Sequence, residues 1–544
     1  MTSDDTANRP LPSSFSSAPQ HDTGLQRSSV AHFRVETVNN KSMTKQQIED
    51  PLKLKVTDFG PIVEAEIDLR PLTVFIGPSN TGKSYLAILI YALHQVFNSR
   101  INFSRRRYFS IGFSAIQKMS KAEIRVLLEA ANPIVSVLES EGSRRLTLPR
   151  PLAELARLGI HEIAGGLSNE IARCFGIGKS YELIRHGRTN VMQIVIQEKS
   201  YDADQLLQQT ISRRQQPECT SIVSAGKEIL WNFKDRDSLF KERLISYIQY
   251  ADNKKSSKDD LQFMAIEVVS TLFSLLLPSL LGPLHSPAYY LPADRTGVMH
   301  AHNVVVSALI ASAPTGGLRP VDTMPTLSGV LADFLQELIK IDQKKRGMTR
   351  NDIAGKIEDL ILEGSVSINR PPHINYPRFA YRPHGWKKEK DALALANASS
   401  MVSELAPVVL YLRHMIKPGN VLIVEEPESH LHPAMQVKFT RQLAALVEAG
   451  VRVIVTTHSE WLLEELANIV QRSKIPKTKR NGEIALREDQ VGAWLFKPQK
   501  SPKGSVVNQV SFDESGLYSS GYNEVAETLH NDWASISSHI QNHS

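Results

Sequence analysis

Residues 77–84 read Gly-Pro-Ser-Asn-Thr-Gly-Lys-Ser, which fits G-x-x-x-x-G-K-[ST] with Gly77, Gly82, Lys83 and Ser84 at the defining places. An apolar run, LTVFI, leads into the loop, and YLAILIYALHQVF, apolar at helical spacing, leads out of it. In a strand–loop–helix unit of this kind the loop Pro78, Ser79, Asn80 and Thr81, through the backbone N–H groups of its last three residues, and the helix N-terminus converge on one point, where a polyphosphate would be held. Lys83 would reach the β- and γ-phosphates of a nucleotide such as ATP, and the Ser84 hydroxyl would hold Mg²⁺. A chain with this loop is therefore expected to place it at the carboxyl edge of an α/β sheet.

A second segment supplies the acids. Val421-Leu422-Ile423-Val424-Glu425-Glu426 is four apolar residues followed by two carboxylates, the pattern of a buried central strand delivering charge at its carboxyl end. Glu425 is placed to hold the magnesium hydration shell, and Glu426 to orient or deprotonate an attacking water. About 340 residues separate Ser84 from Val421, against roughly 30 for one βαβ unit, so only architectures with a large insertion remain. No Asn-Lys-x-Asp guanine-reading motif lies near the sheet segments, which argues against a GTPase.

The rest of the chain can be divided on pattern. Residues 1–45 are rich in Ser, Thr, Pro and Asn and are expected to form a disordered tail. Residues 46–97 carry two antiparallel strands, the buried third and the phosphate loop. Residues 98–363 read as a long, mostly helical insertion, with polar loops or arm tips at 199–219 and 251–260. Residues 364–544 begin with strand-like alternation at 364–385 and then run strand–helix–strand–helix after 420, the mark of a parallel sheet. Leu272–Leu284 is the most apolar window, but Pro278 and Pro283 interrupt it and it is too short to span a bilayer. It reads as a buried helix or helix pair, so no membrane partner is expected. Two cysteines, Cys174 and Cys219, cannot make a disulfide framework and suit a reducing, cytoplasmic setting. The net charge of +6 is too mild to mark a nucleic-acid binder unless it is clustered.

Four segments, GPSNTGKS, ASSMVSELAP (398–407), IVEEPESHLHP (423–433) and TTHS (456–459), resemble in kind and order the motifs of ABC-type ATPase heads of the RecF, SMC and OLD-like kind. The chain looks most like the stand-alone AAA-family ATPases related to OLD proteins and to Septu-type phage-defence ATPases. YYLPADRTG (289–297) is similar to a motif of the same group. The resemblance covers about 51–97 and 364–470 and implies a P-loop head, a mixed α/β sheet with flanking helices, around a long insertion. It implies that Glu425 and Glu426 match the Walker B acid and the catalytic glutamate. His458 matches the switch histidine at the γ-phosphate, and Ser429–Pro433 the loop lining a dimer interface. Ser399 and Ser400 match the signature serine, which in such homodimers caps the γ-phosphate held by the other subunit. Two departures stand out: Met401 follows the serines where glycine is usual, and Glu425 replaces the commoner aspartate.

Plainer readings stand beside these. Ser400 could cap a helix beginning at Met401. His458 could be a hydrogen-bonded residue at a strand end. His430 and His432 lack the accompanying ligands of a metal centre, and Asp294–Arg295 reads as a structural ion pair. Arg105–Tyr108 with Phe109, Lys344–Arg346 and Lys474–Arg480 are basic clusters that could meet DNA phosphates, although a solvated face is the commoner role. The expected function is Mg-dependent ATP hydrolysis by a dimerising head, coupled to nucleic-acid handling or phage defence alongside a partner effector or nuclease. The alternative is a non-hydrolysing, ATP-dependent dimerisation switch or scaffold. A transporter subunit fits less well because of the long insertion, and no acidic nuclease constellation follows residue 470.

Overall fold

The computed structural model describes residues 35–37, 52–98, 116–137, 142–185, 191–198, 205–221, 228–233, 246, 257–300, 327–341, 353–370, 377–386, 388, 391–513, 516–517 and 527–537. They belong to one compact unit, Val35–Ser544. In chain order, strand β1 (Val35–Thr37) precedes β2 (Leu52–Phe59), β3 (Ile62–Leu69), β4 (Leu72–Ile76) and helix α1 (Lys83–Phe97). The insertion contributes α2 (Lys121–Val137), β5 (Gly142–Thr147), α3 (Arg150–Ala164), α4 (Leu167–Phe175), β6 (Val191–Glu198), β7 (Gln205–Ser212), β8 (Glu218–Ser221) and β9 (Glu228–Phe233). It continues through α5 (Lys258–Leu281), β10 (Ala288–Leu291), α6 (Gly329–Lys340) and α7 (Ile353–Ile357). The remainder is β11 (Gly364–Asn369), β12 (Arg378–Pro383), β13 (Leu393–Ala394), α8 (Ser400–His414), β14 (Val421–Glu425), α9 (Pro433–Glu448), β15 (Arg452–Thr457), α10 (Glu460–Arg472), β16 (Val491–Lys500) and β17 (Lys503–Val510).

One 11-stranded sheet organises these pieces in the order β10-β14-β15-β4-β16-β17-β3-β2-β6-β7-β8. From β10 to β16 the neighbours are parallel. The far side, β3-β2-β6-β7-β8, is antiparallel. Every residue of β4 and β14 is buried, as parallel strands covered on both faces must be. Helix α1 packs on β10, β14 and β15, and α9 packs on β15 and α10. Helix α9 starts with Pro433 in its first turn, and the chain leaves it through Gly450 at φ 86, the usual asymmetry of proline in and glycine out.

The motif-bearing regions follow the expectations: β2 and β3 pair antiparallel, the buried β4 runs into the loop, and strands and helices alternate after 420. Other parts differ. The insertion is less helical than its spacing suggests, because β6, β7 and β8 extend the main sheet while β5 pairs with β1 on one side and β9 on the other in a separate three-stranded sheet. The stretch 199–219, expected as loop, contains β7 and the start of β8. Gln-rich QLLQQTIS has few apolar residues to mark it as a strand, yet it completes its hydrogen bonds on β6. Val35–Thr37 also pairs as a strand, inside the stretch expected as tail. The rest of residues 1–45, the Arg105–Phe109 and Lys344–Arg346 clusters and most of 251–260 lie outside the described residues. The apolar window at 272–284 is the end of α5 and the short 3₁₀ turn after it. No helix among the described residues is long and apolar enough to cross a membrane.

Candidate nucleotide site

The parallel strands are in register at their carboxyl ends. Glu425 of β14 pairs with Thr456 of β15, and Thr456 and Thr457 pair with Phe75 and Ile76 at the end of β4. Segments remote in sequence therefore open onto one edge: the loop from Gly77, the Glu425–Glu426 turn and the His458 turn.

The loop is shaped by its glycines and braced from outside. Gly77 has φ 137 and Gly82 φ 101, both in the region that side chains avoid. Gly82 is the N-cap of α1, whose first turn holds no acid and no capping side chain, so its N–H groups and partial positive charge remain available to an anion. Pro78, Ser79, Asn80 and Ser84 are exposed, whereas Thr81 and Lys83 are buried. The Lys83 ammonium donates to the Gly77 and Pro78 carbonyls, each at 2.8 Å, and the Thr81 hydroxyl donates to the Pro78 carbonyl at 2.8 Å. Burial pushes the lysine down to about 8, against the opposing fields of Glu426, Glu428 and Glu425. The Ser505 hydroxyl of β17 donates to the Thr81 carbonyl. This brace from β16–β17 is absent from the motif-level reading; its signal is the apolar run VGAWLF before a Pro/Lys/Gly turn.

The acids have unequal environments. Glu425 is 6% exposed, and burial raises its carboxyl above the usual range, while the Ser84 hydroxyl, the Ala293 N–H and the Tyr290 hydroxyl beside it oppose the shift. Its Oε2 accepts from the Ala293 N–H at 3.3 Å, whereas Oε1 is buried without a well-formed partner. An orphaned carboxylate oxygen next to a serine hydroxyl and a phosphate-type loop suits a hard divalent cation such as Mg²⁺. Glu426 is lowered, first by its hydrogen bond with His458, whose Nε2 lies 3.5 Å from the Glu426 Oε1. Its backbone has φ 40, a strained conformation for a side-chain-bearing residue. Neither hydrogen bond nor charge makes Glu425 and Glu426 equivalent, so the pair can divide its roles between metal and water.

A third carboxylate, missed in sequence, joins them. Glu428 Oε1 accepts from the Thr457 hydroxyl at 2.8 Å and the His458 N–H at 2.6 Å, and burial raises its carboxyl. His458 is thus held at its backbone by Glu428 and at its ring by Glu426. His432, near the end of the same segment, is the N-cap of α9 and accepts from the Ala434 N–H at 3.3 Å. No cluster of metal-ligating side chains occurs among the described residues.

Ser399 and Ser400 are both exposed at the N-terminus of α8. The helix begins at Ser400 and its cap is Ser399, which accepts from the Val402 N–H at 3.4 Å, one residue earlier than the spacing suggested. Arg295 also departs from expectation. It pairs with Glu404 of α8, not with Asp294, at 0% and 1% exposure, and it donates to the Glu425 carbonyl at 2.6 Å and the Glu426 carbonyl at 3.2 Å. A fully buried guanidinium needs a charged partner, and exposed Asp294 cannot give one inside the fold.

Residues 320–463 match the family model described as AAA ATPase domain, a stretch that includes Ser399, Ser400, Glu425, Glu426 and His458. No curated protein matches the chain. Among solved structures, the SMC head bound to the C-winged helix domain of ScpA has 10% identity and a TM-score of 0.34, with 85% of this chain and 98% of that chain covered. The SMC head domain from Thermotoga maritima has 11% identity and a TM-score of 0.32, with 85% and 99% covered. The Smc head with an extended coiled coil bound to the C-terminal domain of ScpA, from Pyrococcus furiosus, has 9% identity and a TM-score of 0.33, with 88% and 100% covered. Nothing about activity follows from likenesses this distant. Residues 320–463 of this chain are thus similar to an AAA ATPase domain, and the parallel strands bring the acids and histidine of that stretch to the same sheet edge as the phosphate-type loop.

Proposed function

We propose that this chain binds Mg·ATP through Gly77–Ser84 and hydrolyses it. The observation that supports the reading most is the shared edge of β4, β14 and β15, where Lys83 lies in the field of Glu425, Glu426 and Glu428. Lys83 binds the β- and γ-phosphates, exchanging its bonds to the Gly77 and Pro78 carbonyls for phosphate oxygens. Ser84 and Glu425 hold the magnesium ion, which when bound neutralises charge on the phosphates. Glu426, kept ionised by His458, orients water for in-line attack on the γ-phosphorus. His458 faces the phosphate being transferred. Catalysis on this scheme is positioning and charge stabilisation.

The head would dimerise on ATP, with Ser399 or Ser400 of one subunit capping the γ-phosphate held by the other. Exposed serines at a helix N-terminus suit that contact. Coupling to nucleic acid or phage defence, with a partner effector or nuclease, is prompted by the OLD- and Septu-like motifs. The rival, a non-hydrolysing switch, is favoured by Met401, which takes the place where glycine would let backbone approach a phosphate.

Phosphate release separates the two. The wild type is expected to turn over ATP, and Glu426→Gln to bind it and stall as a dimer. A wild type that binds ATP without releasing phosphate establishes the switch, and a Glu426→Gln protein with full turnover removes the catalytic assignment. Adding single- or double-stranded DNA to the same assay tests the coupling: stimulation supports it, indifference points to a protein partner.

A further inference from the structure

Residues 293–296 connect three groups that the sequence keeps apart. The Ala293 N–H meets the carboxylate of Glu425 at 3.3 Å. The Arg295 guanidinium takes the main-chain carbonyls of Glu425, Glu426 and Glu404 and forms an ion pair with the Glu404 carboxylate. The Thr296 hydroxyl donates to the other oxygen of that carboxylate. Glu404 lies in the second turn of α8, whose first residues are the exposed Ser399 and Ser400.

Stability alone is a poor reason for this arrangement. Desolvating two charges costs several kcal/mol per ion, and apolar residues of similar volume usually fill such a site at no loss. What apolar residues cannot do is hold carbonyls. The turn they belong to is strained, with Glu426 at φ 40, and a strained backbone persists only where its surroundings over-determine it. The direction of both acid side chains therefore depends on where Arg295 is held, and Arg295 is held by α8.

We propose that Arg295, with Thr296, is a positioning residue that sets the Glu425–Glu426 turn according to the position of α8. A contact at Ser399 and Ser400 would then reach the acids through Glu404 and Arg295, so that capping by a second copy of the chain and alignment of the hydrolytic groups are one event. The inference rests on the Mg·ATP reading above, and it concerns Arg295, Thr296 and Glu404, none of which touches the nucleotide.

The test uses the full chain carrying Arg295→Met with Glu404→Leu, an apolar pair that removes the bracket without stranding a charge, and separately Thr296→Val. Melting temperature, affinity for fluorescent mant-ATP in excess Mg²⁺, the half-saturating Mg²⁺ for that binding, and phosphate release are measured. The double variant is expected to melt near the wild type and bind mant-ATP within about threefold. It should need about tenfold more Mg²⁺ and turn over at least about tenfold more slowly at unchanged KM. Thr296→Val should move the same two readouts by a few-fold. Wild-type Mg²⁺ requirement and turnover in a folded double variant overturn the proposal. Should the double variant not fold, wild-type values in Thr296→Val overturn it equally. A wild type that releases no phosphate refutes hydrolysis, and the Mg²⁺ requirement still decides the bracket.

Discussion

At Gly82 a Cβ would stand 2.7 Å from the Ile62 Cγ1 and 2.9 Å from the Pro61 Cγ, on a backbone with φ 101. At Gly77 it would meet the Phe496 carbonyl oxygen at 2.5 Å. Gly77→Ala must move backbone of β16, so it is expected to abolish ATP binding and to lower stability by about 1–3 kcal/mol, as calorimetry and a binding titration would measure. Lys83→Ala is expected to lose ATP binding by at least about a hundredfold in Kd, with a melting temperature close to wild type because the loop keeps its Thr81 and Ser505 bonds. Gly77, Gly82, Lys83, Ser84, Glu425 and Glu426 were legible because each has a fixed offset from a motif. Glu428 was not: a glutamate two residues past the acids reads as surface charge until β15 brings the Thr457 hydroxyl and His458 N–H to it. Arg295 was misread for a related reason, since its true partner is more than a hundred residues away on α8.

Among elements, α1 couples the phosphate loop to the core. His94 in its last turn is 2% exposed and its Nδ1 lies 3.1 Å from the Ser286 carbonyl. Burial holds its imidazole down to about 4 from 6.5. The folded state therefore keeps His94 neutral where the unfolded chain would protonate it. Its contribution is complete above the unfolded value and is lost as pH falls from about 6.5 towards 4, at most about 3 kcal/mol. Denaturant midpoints between pH 7 and 4 should show this slope, and His94→Gln should flatten it; an unchanged slope would exclude His94 as its source. Strands β4, β14 and β15 were readable as largely apolar runs ending at residues of the candidate site. Strands β7 and β8 were not, because a polar strand is specified by the neighbours it pairs with more than by its own composition.

For the whole molecule, the reading proposed above makes the exposed N-terminus of α8 the surface through which two heads would meet over ATP. Ser400→Arg adds bulk and charge at an exposed position and is expected to leave the melting temperature unchanged. In a Glu426→Gln background it should prevent the ATP-dependent doubling of mass in sedimentation; persistence of the dimer would move the interface elsewhere. The distance between loop and acids was legible as a long intervening stretch, but the partition of its strands between the main sheet and a separate three-stranded sheet was not, since strand pairing across such separations leaves no local trace.

Strand β16 lies between β4 and β17 in the middle of the sheet. The strand beneath the phosphate loop thus waits, during synthesis, for a neighbour more than four hundred residues downstream. Until translation has passed residue 510, β4 has an unpaired edge and the Thr81 carbonyl lacks its Ser505 donor. The phosphate-type loop therefore acquires its last brace only after the strand that carries the acids, β14, has already been made.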